Sequence, residues 1–198
     1  FNTGVISTSS DWQYYISFVN TSSTGRLNFV WRSGGSATQT TTTNGVTASQ
    51  WNSFAVVSDG TSYSLYLNGA AETEVLVGGT NDGAWFGDIT SGKRSHLMIG
   101  AHQLGSTGGL GGFFDGKIMQ IAYFGGSVGS QGVLTAAQIA ALHSAGKSHD
   151  LTTATGVYTA SEIDDLKGYW RMGNHYLDTA STIYDASGNG YDMREVSD

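Results

Sequence analysis

The stretch Trp51-Asn52-Ser53-Phe54-Ala55-Val56-Val57-Ser58-Asp59-Gly60-Thr61-Ser62-Tyr63-Ser64-Leu65-Tyr66-Leu67-Asn68-Gly69 leaves few options for a fold. Two alternating apolar runs are each followed by a dipeptide, Asp-Gly or Asn-Gly, that accepts positive φ and closes a tight hairpin. The reading is strand, turn, strand, turn. A second stretch, Phe114 to Phe124, reads as a Gly-headed strand, and Leu134 to Leu142 follows it within ten residues as a short helix.

Period-two patterning extends through the chain. Trp12, Tyr14, Ile16 and Phe18 share one face, and Leu27, Phe29 and Trp31 share another. Such alternation belongs to antiparallel sheets with one packed face. Leu97-Met98-Ile99 before Gly100 reads as a further strand, and Ile118 to Phe124 as another. Trp12, Trp31, Trp51 and Trp170 lie in strand patterns and are expected in the core. Thr38 to Thr43 reads as a strand end running into a loop. Gly105 to Gly112 and Gly125 to Gly132 read as flexible loops. No proline is present, where about ten would be usual, so 29 glycines together with Asn, Asp and Ser must build the bends.

Two helix starts are marked. Thr135 with Gln138 three residues on, and Thr159 with Glu162, are both capping boxes. Leu134 with Ile139, and Tyr158 with Ile163, are the matching hydrophobic staples. The first helix is expected to end near Gly146 and the second before Gly168.

These segments, in this order, resemble the laminin-G-like (pentraxin-like) branch of the concanavalin A-like jelly rolls. The resemblance covers most of residues 12–193. It implies an all-β, antiparallel two-sheet jelly-roll sandwich with two short helices in the C-terminal third, residues 1–198 forming a single domain. Gly168-Tyr169-Trp170-Arg171-Met172-Gly173 and Ile183 to Tyr191, with Asp185-Ala186-Ser187-Gly188-Asn189-Gly190, resemble the strands and turn that open such a domain, yet here they come last. A truncated second copy, a circular permutation, or late completion of the same sandwich would each account for this. The last two together are preferred, with residues 168–193 as permuted first strands. The arrangement is also similar to copies in structural proteins of tailed bacteriophages, where a loop like Asn81 to Asp88 precedes the Leu-x-Ile-Gly strand.

Composition closes several routes. With no Cys, disulfides, thiol catalysis and Cys-based zinc sites are excluded. A net charge of −7 with nine Lys and Arg gives no basic footprint for nucleic acid. No run of 18 apolar residues exists to span a membrane. The start at Phe1, in mid-pattern and without Met, reads as a processed or excised piece of a longer protein. Charged residues are only 13%, which leaves a hydroxyl-rich surface of the kind associated with extracellular and virion adhesins.

The superfamily also contains glycoside hydrolases, whose catalysis needs two carboxylates across the scissile bond. Glu162-Ile163-Asp164-Asp165-Leu166-Lys167 places Lys where the glucanase pattern Glu-x-Asp-x-x-Glu has its second acid, and Glu162 already serves a helix cap. No His pairing has metal-ligand spacing; His143 suits the C-terminal end of a helix as a cation.

Calcium is the metal that the resemblance implies. It takes six to eight oxygens, and Asp185, Asn189 and Asp192 form the densest set for it. The competing reading is a turn in which Asp185 and Asn189 bond their own backbone. Asn81, Asp82 and Asp88 form a second oxygen cluster. Trp85, flanked by Gly83 and Gly87, is the aromatic best placed in a loop for stacking on a sugar, with Asn81, Asp82 and Asp88 as polar partners; a Trp folded over the sandwich end is the alternative.

The function expected is a non-catalytic binding or decoration module at a virion surface or in an extracellular adhesin. Its partners would be a cell-surface or environmental glycan and a virion or fibre protein, with a homo-oligomer compatible. A purely structural capsid or fibre ornament is the alternative, and a glycoside hydrolase the second.

Overall fold

The computed structural model describes residues 5–6, 12–19, 25–33, 36–47, 49–83, 99–100, 102–104, 109–111, 113–125 and 132–195. The chain gathers into two compact units, Phe1–Leu67 with Ala71–Gly116, and Asn68–Ala70 with Lys117–Asp198.

In the first unit, β1 (Val5–Ile6), β2 (Trp12–Val19), β3 (Arg26–Ser33) and β4 (Ser36–Gly45) pair in sequence as antiparallel neighbours. A later strand, β8 (Glu74–Gly78), joins at the β4 edge, so the five-stranded order is β1-β2-β3-β4-β8. β5 (Phe54–Ser58) and β6 (Tyr63–Leu67) form the hairpin expected from the sequence, with Phe54 opposite Leu67 and Ser58 opposite Tyr63. β7 (Ala70–Ala71) completes that smaller sheet after the Asn68-Gly69 turn. Asn68 and Gly69 have φ of 52° and 78°, the two left-handed residues of a tight hairpin turn.

The Asp59-Gly60 bend works differently. Only Gly60 is left-handed; Asp59 Oδ1 instead accepts from Thr61 N (2.8 Å), Ser62 N (2.8 Å) and Thr61 Oγ1 (2.7 Å). The connection is therefore a four-residue loop held by a side chain.

The two sheets of this unit meet through their apolar faces. Phe29 on β3 and Tyr63 on β6 contact edge to face, ring centroids 4.7 Å apart, and both are 2% exposed. Leu65 and Leu67 are buried beside Tyr63 in β6. Burying each such side chain contributes roughly 1.5–3 kcal/mol. The threonine tract is strand throughout, contrary to the strand-into-loop expectation: Thr40 and Thr42 alternate inward on β4 and are buried. β-Branched side chains fit a pleated, half-buried surface, which favours this outcome.

Other expectations shift. Gly109–Gly111 is strand β10, paired with β9 (His102–Leu104), so part of the expected Gly-rich loop is hairpin. Leu97 and Met98 lie outside the described residues, as does 126–131 of the second Gly-rich segment. Trp51 is 46% exposed and precedes β5. It was expected in the core because it looked like part of the strand; the strand begins three residues later.

In the second unit, β11 (Ile121–Phe124) pairs antiparallel with β12 (Leu166–Trp170). β11 starts later than Ile118 because Gln120 is left-handed (φ 54°) and sends its side-chain amide to His149 O (2.6 Å). Helix α1 (Ala136–Ala145) carries the expected reciprocal cap: Gln138 N donates to Thr135 Oγ1 (3.3 Å), and Thr135 N donates to Gln138 Oε1 (2.7 Å). It stops at Gly146 (φ 87°), and His143 sits in its last turn, as expected. In α2 (Ala160–Asp164), Thr159 N donates to Glu162 Oε2 (2.7 Å).

Leu151, Leu166 and Tyr169 form the core here, with Phe124, Leu142 and Ala186 packed on them. Tyr158 is fully buried, edge to face with Phe124, and donates to Leu151 O (2.7 Å). β13 (Thr182–Ile183) and β14 (Met193–Arg194) form a last short hairpin. Within residues 168–193, β12 pairs with β11 and β13 with β14, and Tyr169, Trp170 and Asp185 are buried. The mostly antiparallel β architecture with two helices is that of the expected fold class.

Candidate functional site

Arg171, the first residue past β12, is where the second unit turns from sheet to surface. Met172 (φ 53°) and Gly173 (φ 89°) then redirect the chain. The loop that follows is tied to one carboxylate. Asp178 Oδ2 accepts from Gly173 N (2.8 Å) and His175 N (3.1 Å), and its Oδ1 accepts from Tyr184 N (2.7 Å). The loop it closes brings three rings together, one pair stacked and one tilted. His175 lies on Tyr184 at 4.6 Å and 16°, and Tyr176 lies on His175 at 4.6 Å and 34°. Leu177 N donates to His175 Nδ1 (3.2 Å), which leaves Nε2 as the protonated nitrogen of the neutral ring. Tyr176 ends the stack and is 87% exposed.

Arg171 meets the segment that links the two helices. Its Nη1 donates to Asp150 Oδ2 at 3.0 Å. Asp150 is itself fixed: Oδ1 accepts from Thr152 N (3.0 Å) and Thr152 Oγ1 (2.8 Å). Burial raises the Asp150 carboxyl, but the Thr152 hydrogen bonds and the Arg171 charge outweigh it and hold the group below its ordinary value. The segment is anchored by His149 O, which accepts from Gln120, and by Leu151 O, which accepts from Tyr158.

Asp150, Thr152, Arg171, Asn174, His175 and Tyr176 line a cleft of about 440 Å³. Arg171 Nε is itself buried out of reach of solvent and has no hydrogen-bond partner among the described residues. The cleft thus combines an aromatic face, a fixed ion pair and an exposed amide at Asn174. Those are the parts of a small polar-ligand site: one platform and a few convergent hydrogen-bonding groups.

Neither Arg171 nor the Asn174-His175-Tyr176 run was singled out from the sequence. The signal was present: an aromatic among polar residues in a loop between Gly173 and Asp178 is the same argument that selected Trp85. What sequence could not supply is Asp150, brought in from 21 residues away.

The residues expected to bind a ligand are placed as follows. Asn81 is a clamp: Oδ1 accepts from Tyr63 N (2.6 Å), and Nδ2 donates to Tyr63 O (3.1 Å) and to Glu74 Oε2 (3.3 Å). It thus imitates a strand partner for Tyr63. Asp82 is exposed. Gly83 (φ 67°) is buried against the Asp59–Ser62 loop, and its carbonyl accepts from Ser58 Oγ. Trp85 and Asp88 lie outside the described residues.

Glu74, left without a role by the sequence, accepts from Thr40 Oγ1 (3.2 Å) and Leu65 N (3.1 Å), so it links β4 to β6. Burial raises its carboxyl above the ordinary value despite those two bonds.

The residues expected for calcium tie backbone to backbone. Asp185 is buried. Its Oδ1 accepts from Tyr169 N (2.9 Å) and Ser187 N (3.0 Å), and its Oδ2 from Tyr191 N (2.9 Å). Asp192 Oδ1 accepts from Asp185 N (2.9 Å), and Asn189 Nδ2 donates to Leu166 O (3.0 Å). A metal here would have to displace amide bonds from Asp185. Among the described residues, no group of three or more His, Cys, Asp or Glu is placed to hold a metal ion. Glu162, the acid weighed for hydrolysis, is engaged as the α2 cap.

Comparison with known proteins adds one finding. A laminin-G family model, described as the concanavalin A-like lectin/glucanases superfamily, matches residues 2–140. No curated protein and no solved structure matches the chain. The Arg171 cleft falls wholly beyond the matched span, whereas Asn81 and Glu74 fall within it. On a match covering more than half its length, the chain belongs to the concanavalin A-like lectin/glucanase superfamily.

Proposed function

We propose that this chain is a non-catalytic, saccharide-binding module displayed on a virion or adhesin surface, and that the Arg171 cleft is its binding site. The observation that carries the reading is Tyr176: an almost fully exposed ring that leans at 34° on His175, itself stacked on Tyr184, beside paired Asp150 and Arg171. A sugar offers an apolar ring face to such a platform, and its hydroxyls both donate and accept. Asp150 can accept from them, and Arg171 and Asn174 can donate to them. Membership of a superfamily named for lectins as well as glucanases supports the class of ligand. The non-catalytic part is supported by the employment of Glu162 in a helix cap. Surface display is supported by the likeness of Asn81 to Asp88 to loops in phage structural proteins.

The test is a glycan array probed with the native chain, Tyr176→Ala and Trp85→Ala. Loss of an aromatic platform removes about 0.5–1.5 kcal/mol of stacking, so Tyr176→Ala should weaken a hit severalfold while Trp85→Ala leaves it. Binding left unchanged by Tyr176→Ala, or an array without hits, overturns the proposal.

A further inference from the structure

The five-stranded sheet of the first unit ends on β8, and no described strand pairs with its far edge. An edge strand offers a row of backbone N–H and C=O groups to any strand that fits. Val75, Leu76 and Val77 on this edge are 42%, 49% and 58% exposed. β8 has no lysine and no proline, the usual guards of an edge. Two other guards, an inward acid and a bulge, are present in form only. Glu74 already accepts from Thr40 Oγ1, Leu65 N and Asn81 Nδ2, so a strand added outside it leaves no charge newly unpaired. Val77 is the extra residue where the β4 register shifts. Bulges re-aim side chains, and Val77 is the most exposed of the three.

We infer that the far edge of β8 is a self-association surface, where a second copy of this chain adds its own β8, antiparallel about Leu76, to make one continuous sheet. Glu74-Val75-Leu76-Val77-Gly78 reads nearly alike in both directions from its centre. Pairing about Leu76 sets Leu76 against Leu76 of the second copy, Val75 against its Val77, and Glu74 against its Gly78. Charge selects this register. At about 3.4 Å per residue, the two Glu74 residues stand four positions apart along the strands, about 14 Å, which exceeds the Debye length of about 8 Å at physiological salt. Centring on Val75 halves that distance, and centring on Glu74 sets the acids face to face, which destabilises a pair of strands. Centring on Val77 sets Val75 and Leu76 against glycines and loses the apolar contacts. A five-residue strand falls below the roughly 1,200 Å² of a stable interface, so the dimer forms only at high protein concentration.

Sedimentation velocity of the full chain, over a micromolar-to-millimolar series, reads the balance of monomer and dimer. The native chain should move toward dimer as concentration rises. Leu76→Lys replaces a half-exposed side chain, a change that a surface position tolerates. It sets like charges opposite each other and removes the central apolar pair, so the association constant should fall about tenfold or more. The chain has no cysteine, so Leu76→Cys supplies a single thiol, and a short bis-maleimide should join two copies of it. Ser144→Cys, exposed on α1, is the control and should stay unjoined. Cross-linking keeps the inference open to refutation should Leu76→Lys fail to fold.

A chain that stays monomeric throughout the series overturns the inference. So does a dimer that a folded Leu76→Lys variant leaves untouched, and so does Leu76→Cys cross-linking no better than Ser144→Cys.

Discussion

Replacing Asp185 is the sharpest test of what holds the C-terminal unit together. This buried carboxylate accepts three backbone N–H groups, from Tyr169 in β12, from Ser187 in its own turn, and from Tyr191 beyond it. Hydrogen bonds to a charged group contribute roughly 1.5–3 kcal/mol each. They share one acceptor and are not additive, so Asp185→Ala should cost about 4–6 kcal/mol, a large part of a typical domain stability. Asp185→Asn should cost roughly half as much, because one oxygen still serves Tyr169 and Ser187 while the new amide faces Tyr191 N donor to donor.

The assay is urea unfolding at pH 7, followed by circular dichroism and by tryptophan fluorescence. Burial pushes Asp185 up, but bonds from Ser187, Tyr169 and Tyr191 prevail and leave its carboxyl below the ordinary value. A depressed acid stabilises fully above its unfolded pKa of about 3.9, and that stabilisation fades as pH falls through the folded value. The gap between native and Asp185→Asn should therefore be widest at neutral pH and narrow below about pH 4. An Asn variant within about 0.5 kcal/mol of native at pH 7 would match an ordinary surface change and refute the hub. So would a gap that widens in acid.

Two further outcomes are expected. Gly83→Ala forces a left-handed Ala and drives its Cβ to 2.5 Å from Ser62 N, so it should destabilise the first unit by about 2 kcal/mol or more, read as a lower urea midpoint. Glu74 is an acid whose carboxyl is raised by burial, so it lowers stability as pH climbs from its unfolded value through its folded one; Glu74→Gln should flatten that decline in pH-dependent melts, and an unchanged slope would remove the assignment.

Features decided by neighbours in sequence were the legible ones. The Thr135–Gln138 cap, the stop at Gly146 and the Asn68-Gly69 turn each need only a few consecutive residues, and all are present. Misreadings arose where distant partners decide. Trp51 continues an alternating pattern, yet β5 starts only at Phe54, and no local signal marks that boundary. Asn81 was grouped with Trp85 as a polar partner for a ligand, and no local signal shows that its side chain bonds Tyr63, 18 residues away. The Arg171 cleft joins residues 150, 152, 171 and 174–176, and its ion pair crosses 21 positions of chain. Arg171 itself sat inside a run that read simply as an aromatic strand.

The loop bearing Tyr176 is sewn down by Asp178 and by the ring stack before any ligand arrives. On the proposed reading a docking sugar would immobilise almost nothing new, because the freedom usually surrendered at a recognition loop was already given up when the chain folded. Affinity at such a site follows the fit of the incoming group, and a loosened Asp178 clamp would weaken binding through disorder alone, with every contacting side chain still in the sequence.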